Sequence, residues 1–128
     1  MRKPRWVERE VVLALHERLV AEFGGIIGLR DEPMFELALA RPVNQFSYGR
    51  PTIFDLAAAY AFGLARNHRF LDGNKRIGFA IAVLFLELND YRFKASEADA
   101  TIRTLALAAG EIGEPEYAAW MKENSVKK

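Results

Sequence analysis

Residues 52–89 read TIFDLAAAYAFGLARNHRFLDGNKRIGFAIAVLFLELN, the pattern of two apolar helices joined by a short polar loop. Thr52 followed by Asp55 is an N-cap with an acidic third position, close to a capping box, and it opens the first helix. Ile53, Leu56, Ala57, Tyr60, Ala61 and Leu64 then form one broad apolar face, with a stop expected near Asn67. The second helix is expected to begin near Asn74 and end near Asn89. From Ile77 to Leu88 only Gly78 interrupts the apolar run before Glu87. Such a run is too short to span a bilayer, so it reads as a buried helix.

Working outward, apolar residues at Val11, Val12, Leu15, Leu19 and Val20 mark one stripe of a helix from Trp6 to Phe23, ended by Gly24 and Gly25. Asp31 can cap a further helix with Pro33 in its first turn, running to about Arg41 before Pro42. Residues 42–51, with Pro42, Asn44, Gly49 and Pro51, are expected to form a loop that could serve as a flap. Tyr91–Lys94 is extended in character but too short to imply a sheet. Ser96 and Asp99 repeat the cap pattern for a helix through Ala109, closed by Gly110. Pro115 starts a last short helix through Met121, and the polar tail 124–128 is expected to fray. There is no internal repeat. The expectation is all-α: a compact, single-domain helical bundle of about six helices over residues 1–128.

Composition narrows the function. The chain has 128 residues, 51% hydrophobic and 27% charged, which is globular rather than disordered. It has no cysteine, so disulfides, thiolate zinc sites and cysteine nucleophiles are excluded together. A net charge of +1 argues against a protein whose main task is holding a nucleic-acid backbone, and no direct nucleic-acid or membrane partner is expected. Met1–Arg5 resembles the basic start of a signal peptide, but Glu8, Arg9 and Glu10 break any apolar continuation. A soluble, cytoplasmic protein is expected.

The chain has two histidines. His16 lies mid-helix among Leu13, Glu17 and Arg18 and reads as a surface or half-buried structural residue. His68 opens the segment His68-Arg69-Phe70-Leu71-Asp72-Gly73-Asn74-Lys75-Arg76, at the junction of a loop with a helix N-terminus. There the first backbone N–H groups have no helical partner and the dipole favours anions, which makes a phosphate site. Gly73 lets backbone approach a ligand, and Asn74, Lys75 and Arg76 add donors and two positive charges. Asp72 is a hard oxygen ligand of the kind magnesium takes beside phosphates. Histidine is the residue type whose unperturbed pKa lies near neutrality, so His68 suits a general base. These parts within nine residues describe phosphoryl or nucleotidyl transfer. The plainer alternative makes Asp72 an N-cap, Phe70 a hydrophobic anchor, and Lys75 and Arg76 a solvated first turn. Two cations at a helix N-terminus are unfavourable without an anion to offset them, which weighs towards a site.

The same segment resembles the signature of the Fic and death-on-curing superfamily, His-x-Phe-x-Asp/Glu-x-Asn-Gly/Lys-Arg. It matches at His68, Phe70, Asp72, Asn74, Lys75 and Arg76. Lys75 is similar to the death-on-curing toxin branch, which carries Asn-Lys-Arg where most Fic enzymes have Asn-Gly-Arg. Leu15–Leu19 with Gly24-Gly25, Ala40–Pro42, Asp55–Tyr60, Leu84–Asn89 and Ala109–Ile112 extend the likeness over most of the chain.

The resemblance implies an all-α toxin of a type II toxin–antitoxin system. It would use ATP and Mg2+ to phosphorylate a Ser or Thr hydroxyl of a translation factor, elongation factor Tu by family pattern. His68 would be the base and Asp72 the magnesium ligand, while Gly73, Asn74, Lys75 and Arg76 would hold phosphate. It also implies an antitoxin whose C-terminal helix fills a groove on the toxin, with Arg66 and residues 42–51 as candidate groove positions. Most Fic enzymes transfer AMP and carry a second arginine three residues after the first; here that position is Phe79. Gly73, often alanine in the toxin branch, keeps AMP transfer as an alternative. A catalytically idle partner-binding module is the other. Trp6 and Trp120 read as packing at the rim of the core.

Overall fold

The computed structural model describes residues 2–66, 70 and 73–128. Its elements are α1 (Arg9–Phe23), α2 (Glu32–Tyr48), α3 (Ile53–Ala65), α4 (Asn74–Leu88), β1 (Tyr91–Phe93), α5 (Glu97–Ala109), α6 (Glu114–Glu123) and β2 (Ser125–Lys127). The expected six-helix, all-α architecture is observed, with one small two-stranded ribbon added.

Local signals start the helices where the sequence places them. The Thr52 hydroxyl accepts from the Asp55 amide at 3.1 Å and the Asp55 carboxylate accepts from the Thr52 amide at 2.8 Å, a reciprocal cap. Asp31 caps α2 through the Met34 amide, and Ser96 caps α5 through the Asp99 amide. Gly110 closes α5 in the left-handed conformation, at φ 80°.

α3 is the axis of the molecule and packs against α2, α4 and α6. Its alanines at 57, 58, 59, 61 and 65 are buried, so neighbouring helices come close. Glycines sit at the closest crossings. A Cβ on Gly63 would stand 3.1 Å from Ala38 of α2, and one on Gly78 would stand 2.9 Å from the Ala65 backbone nitrogen. Gly78→Ala should therefore destabilise by about 1–3 kcal/mol, because overpacking outweighs the roughly 1 kcal/mol gain in helix propensity. Urea unfolding would measure it, and a stabilised variant would mean that α4 can move off α3 without cost.

The segment before α1 is extended, so the first helix begins at Arg9 and not at Trp6. The Val7 amide donates to the Tyr60 hydroxyl at 3.1 Å, and burial pushes that phenol up to about 12. Trp6 packs over Phe85 and edge-on to Phe46 at the core rim, as expected. Trp120 is almost fully buried and donates to Asp99 at 2.6 Å, tying α6 to α5.

Two further expectations are corrected. α2 does not stop before Pro42 but runs through it to Tyr48, so no flap occupies residues 42–48. An internal proline costs about 3 kcal/mol. Packing offsets that cost here: Pro42 is buried, Phe46 meets Trp6, and Arg41 and Gln45 both bond Glu114 of α6. The tail does not fray either. It forms β2, paired antiparallel with β1 so that Tyr91, Arg92 and Phe93 face Lys127, Val126 and Ser125. The Lys128 amide extends the pairing to the Asp90 carbonyl at 2.9 Å. Short polar strands carry no periodic signal, and only their pairing makes them visible. Among the described residues no helix is long and apolar enough to cross a membrane.

Candidate active site

Between α3 and α4, Phe70 is the one described residue between Arg66 and Gly73. Its ring is 1% exposed, lies flat on His16 with centroids 3.8 Å apart, and meets the edge of Phe35. Its backbone makes an isolated bridge with Leu29 and is gripped by one side chain. Asn74 Oδ1 accepts from the Phe70 amide at 2.9 Å, and Asn74 Nδ2 donates to the Phe70 carbonyl at 3.1 Å. Phe70 is thus the anchor its apolar character suggests. His16 is fully buried beneath it, not at the surface or half-buried, because the Phe70 ring covers it.

α4 opens directly after this anchor. Its N-cap is Gly73, at φ 76°, a left-handed conformation that side chains resist. Gly73 gives the helix no side-chain cap, and the first backbone bond into the helix runs from the Ile77 amide to the Gly73 carbonyl. The amides of Asn74, Lys75 and Arg76 have no acceptor among the described residues, the open end that an anion satisfies. Lys75 and Arg76 are exposed and, among the described residues, form no ion pair. The Arg76 guanidinium lies 4.7 Å from the centre of the Phe23 ring, which steers it over the end of α1. The Asn74 side chain thus holds the Phe70 backbone, and among the described residues one N–H of Nδ2 has no acceptor.

A groove of about 820 Å³ adjoins this end, between the C-terminal part of α1, the first half of α4, and α5. Gly73–Arg76 form its polar side; Leu19, Phe23, Phe79 and Val83 are among its apolar walls. Phe79, where a second arginine would stand, turns edge-on to Phe93 and is partly buried. Sequence reasoning did not find this groove. Its walls come from three helices, α1 lying some fifty residues before α4 and α5, and the local hint is Phe23, a large apolar residue left exposed at a helix end.

The earlier groove positions lie elsewhere. Tyr48, Arg50 and Arg41 border a second concavity of about 830 Å³ between α2, α3 and α6, and Arg66 stacks on Phe62. The structure therefore brings Gly73, Asn74, Lys75 and Arg76 together at one helix end. His68 and Asp72 lie outside the described residues, as do Asn67, Arg69 and Leu71.

A model of the Fic/DOC family matches residues 6–86. Protein kinase doc of Escherichia phage P1 is 33% identical over 109 residues, covering 84% of this chain and 86% of that protein. Toxin Doc of Mycolicibacterium smegmatis is 39% identical over 93 residues, covering 70% of this chain and 68% of that protein.

Proposed function

The chain belongs to the Fic/DOC family, and we propose that it is the toxin of a toxin–antitoxin pair, a transferase moving the γ-phosphate of ATP to a hydroxyl of a target protein. The observation that carries this reading is the open N-terminus of α4, with two cations that no described carboxylate neutralises. Such an end fits a polyphosphate, and phosphoryl transfer depends mainly on positioning and charge stabilisation. The phage relative's name, a protein kinase, supports the choice of reaction; the mycobacterial relative's name, a toxin, supports the biological role.

In this reading the amides of Asn74–Arg76 and the Lys75 and Arg76 side chains hold ATP phosphates. Lys75 stands where glycine would leave room for diphosphate, and Phe79 removes the cation that AMP-transferring relatives would place there. His68 takes the proton of the acceptor hydroxyl as its oxygen bonds to the γ-phosphorus, and ADP leaves. Asp72 would hold Mg2+, which would supply charge neutralisation at the phosphates. The target is a Ser or Thr of a translation factor, elongation factor Tu. The antitoxin is an acidic and apolar helix, and the groove of Phe23, Phe79 and Val83 beside Lys75 and Arg76 suits such a segment. The reaction takes place in the cytoplasm.

Purified elongation factor Tu, incubated with the chain and ATP labelled at either the α- or the γ-phosphate, tests the reading. Label is expected from γ only. Label from α would make the chain an AMP transferase and overturn the roles given to Lys75 and Phe79.

A further inference from the structure

The overall charge of +1 conceals an uneven distribution. At the end of the molecule opposite Gly73, about 20 Å away along α4, the N-terminal segment and the ribbon converge. Asn89, which caps α4, holds Arg5 on both sides: the Arg5 amide donates to Oδ1 at 2.8 Å and Nδ2 donates to the Arg5 carbonyl at 3.0 Å. β1 pairs with β2 immediately beyond, and the Lys94 amide donates to the Asn124 carbonyl at 2.7 Å. These contacts gather the basic residues of three distant stretches: Arg2, Lys3 and Arg5; Arg92 and Lys94; and Lys122, Lys127 and Lys128. All are exposed. Glu87, Asp90 and Glu123 are the acids interspersed with them.

Structure accounts for only part of this. α4 and α6 both end here, and cations near helix C-termini are stabilising. Lys128 fills that role, with Nζ donating to the Glu87 carbonyl at 3.1 Å and pairing with its carboxylate at 2.7 Å. Lys127 lies over the Tyr91 ring, and Lys122 occupies the last turn of α6. Arg2, Lys3, Arg5, Arg92 and Lys94 have no ion-pair partner among the described residues. Eight cations against three acids leave this end with an excess of positive charge, five of them without an ion pair among the described residues, and a polyanion would relieve the repulsion among them.

We infer that this end is a docking surface for the phosphate backbone of double-stranded DNA, bound without regard to sequence and independently of the transfer site. It runs against the expectation, drawn from whole-chain charge, that no nucleic acid is touched directly. The ribbon presents Arg92 and Val126 outward as a pair, a narrow ridge that can approach a duplex while the flanking cations reach its phosphates.

Fluorescence anisotropy of a labelled 20-bp duplex, titrated with the full chain at 50 and 200 mM KCl, tests it. Three to five neutralised phosphates should weaken binding by roughly 40- to 500-fold between these salts. Arg92→Glu/Lys94→Glu should weaken binding at 50 mM by at least tenfold and flatten the salt dependence. Arg18→Glu/Arg103→Glu, an equal change of net charge away from this end, should leave both within about twofold. Absence of binding at 50 mM, or equal loss in the two variants, would overturn the inference. Tighter binding of poly-glutamate or of an RNA duplex than of DNA would overturn it too, assigning the surface to an acidic protein or to RNA.

Discussion

Replacing His68 with alanine is expected to slow transfer to the target protein by about 10²–10⁴-fold, the usual loss when a positioned general base is removed. No other imidazole can substitute, because His16 is buried under Phe70 on α1 and is committed to packing. Nucleotide binding should survive, since the α4 N-terminus, Lys75 and Arg76 are untouched. Single-turnover transfer from γ-labelled ATP measures the chemical step, and growth after induction without antitoxin measures its consequence. Wild type should arrest cells and His68→Ala should not. Equal toxicity of the two would contradict the role of His68.

The second large effect is structural. Phe70→Ala is expected to cost about 3–5 kcal/mol, the range for deleting a fully buried phenyl ring. The site gives little scope for collapse, because His16 below and Phe35 at the edge are themselves held in helices. Each aromatic contact adds about 0.5–1.5 kcal/mol beyond burial. Urea unfolding followed by circular dichroism gives the stability. Phe70→Leu, which retains most of the volume but not the stack, separates packing from positioning. It should lose clearly less stability than Phe70→Ala yet transfer phosphate more slowly, since Asn74 would grip a backbone no longer held flat. A loss below 1 kcal/mol for Phe70→Ala would mean that the ring is not the anchor of the loop.

Where the chain is governed by neighbours in sequence, the sequence was readable. The caps at Asp31, Thr52 and Ser96 and the stop at Gly110 use side chains one turn from the backbone they satisfy, so α3, α4 and α5 fall within two residues of expectation. Pro42 misled because its local penalty is offset by Trp6 and Glu114, dozens of residues away on either side. The ribbon was hidden because three-residue strands have no period to detect. The site divides the same way. The donors and charges of Gly73–Arg76 are contiguous and their meeting could be foreseen, as could the anchoring by Phe70. The groove beside them could not, nor could the stack of His16 under Phe70, because both depend on how α1 lies against the loop and α4.

None of the thirteen residues of α3 is exposed, and this bears on how the chain is made. Its covering helices lie on both sides in the sequence: α2 precedes it, whereas α4 and α6 follow, the latter not beginning until Glu114. A nascent chain that has released α3 but not α6 therefore carries an alanine-rich apolar helix with one flank open to water. Such a chain cannot settle, and it offers chaperones or other nascent chains a sticky face. Folding must wait for nearly all of these residues to emerge. Until then Arg66, at the end of α3, has no fixed support from which to launch the loop that carries His68, so an unfinished copy is also an inactive one.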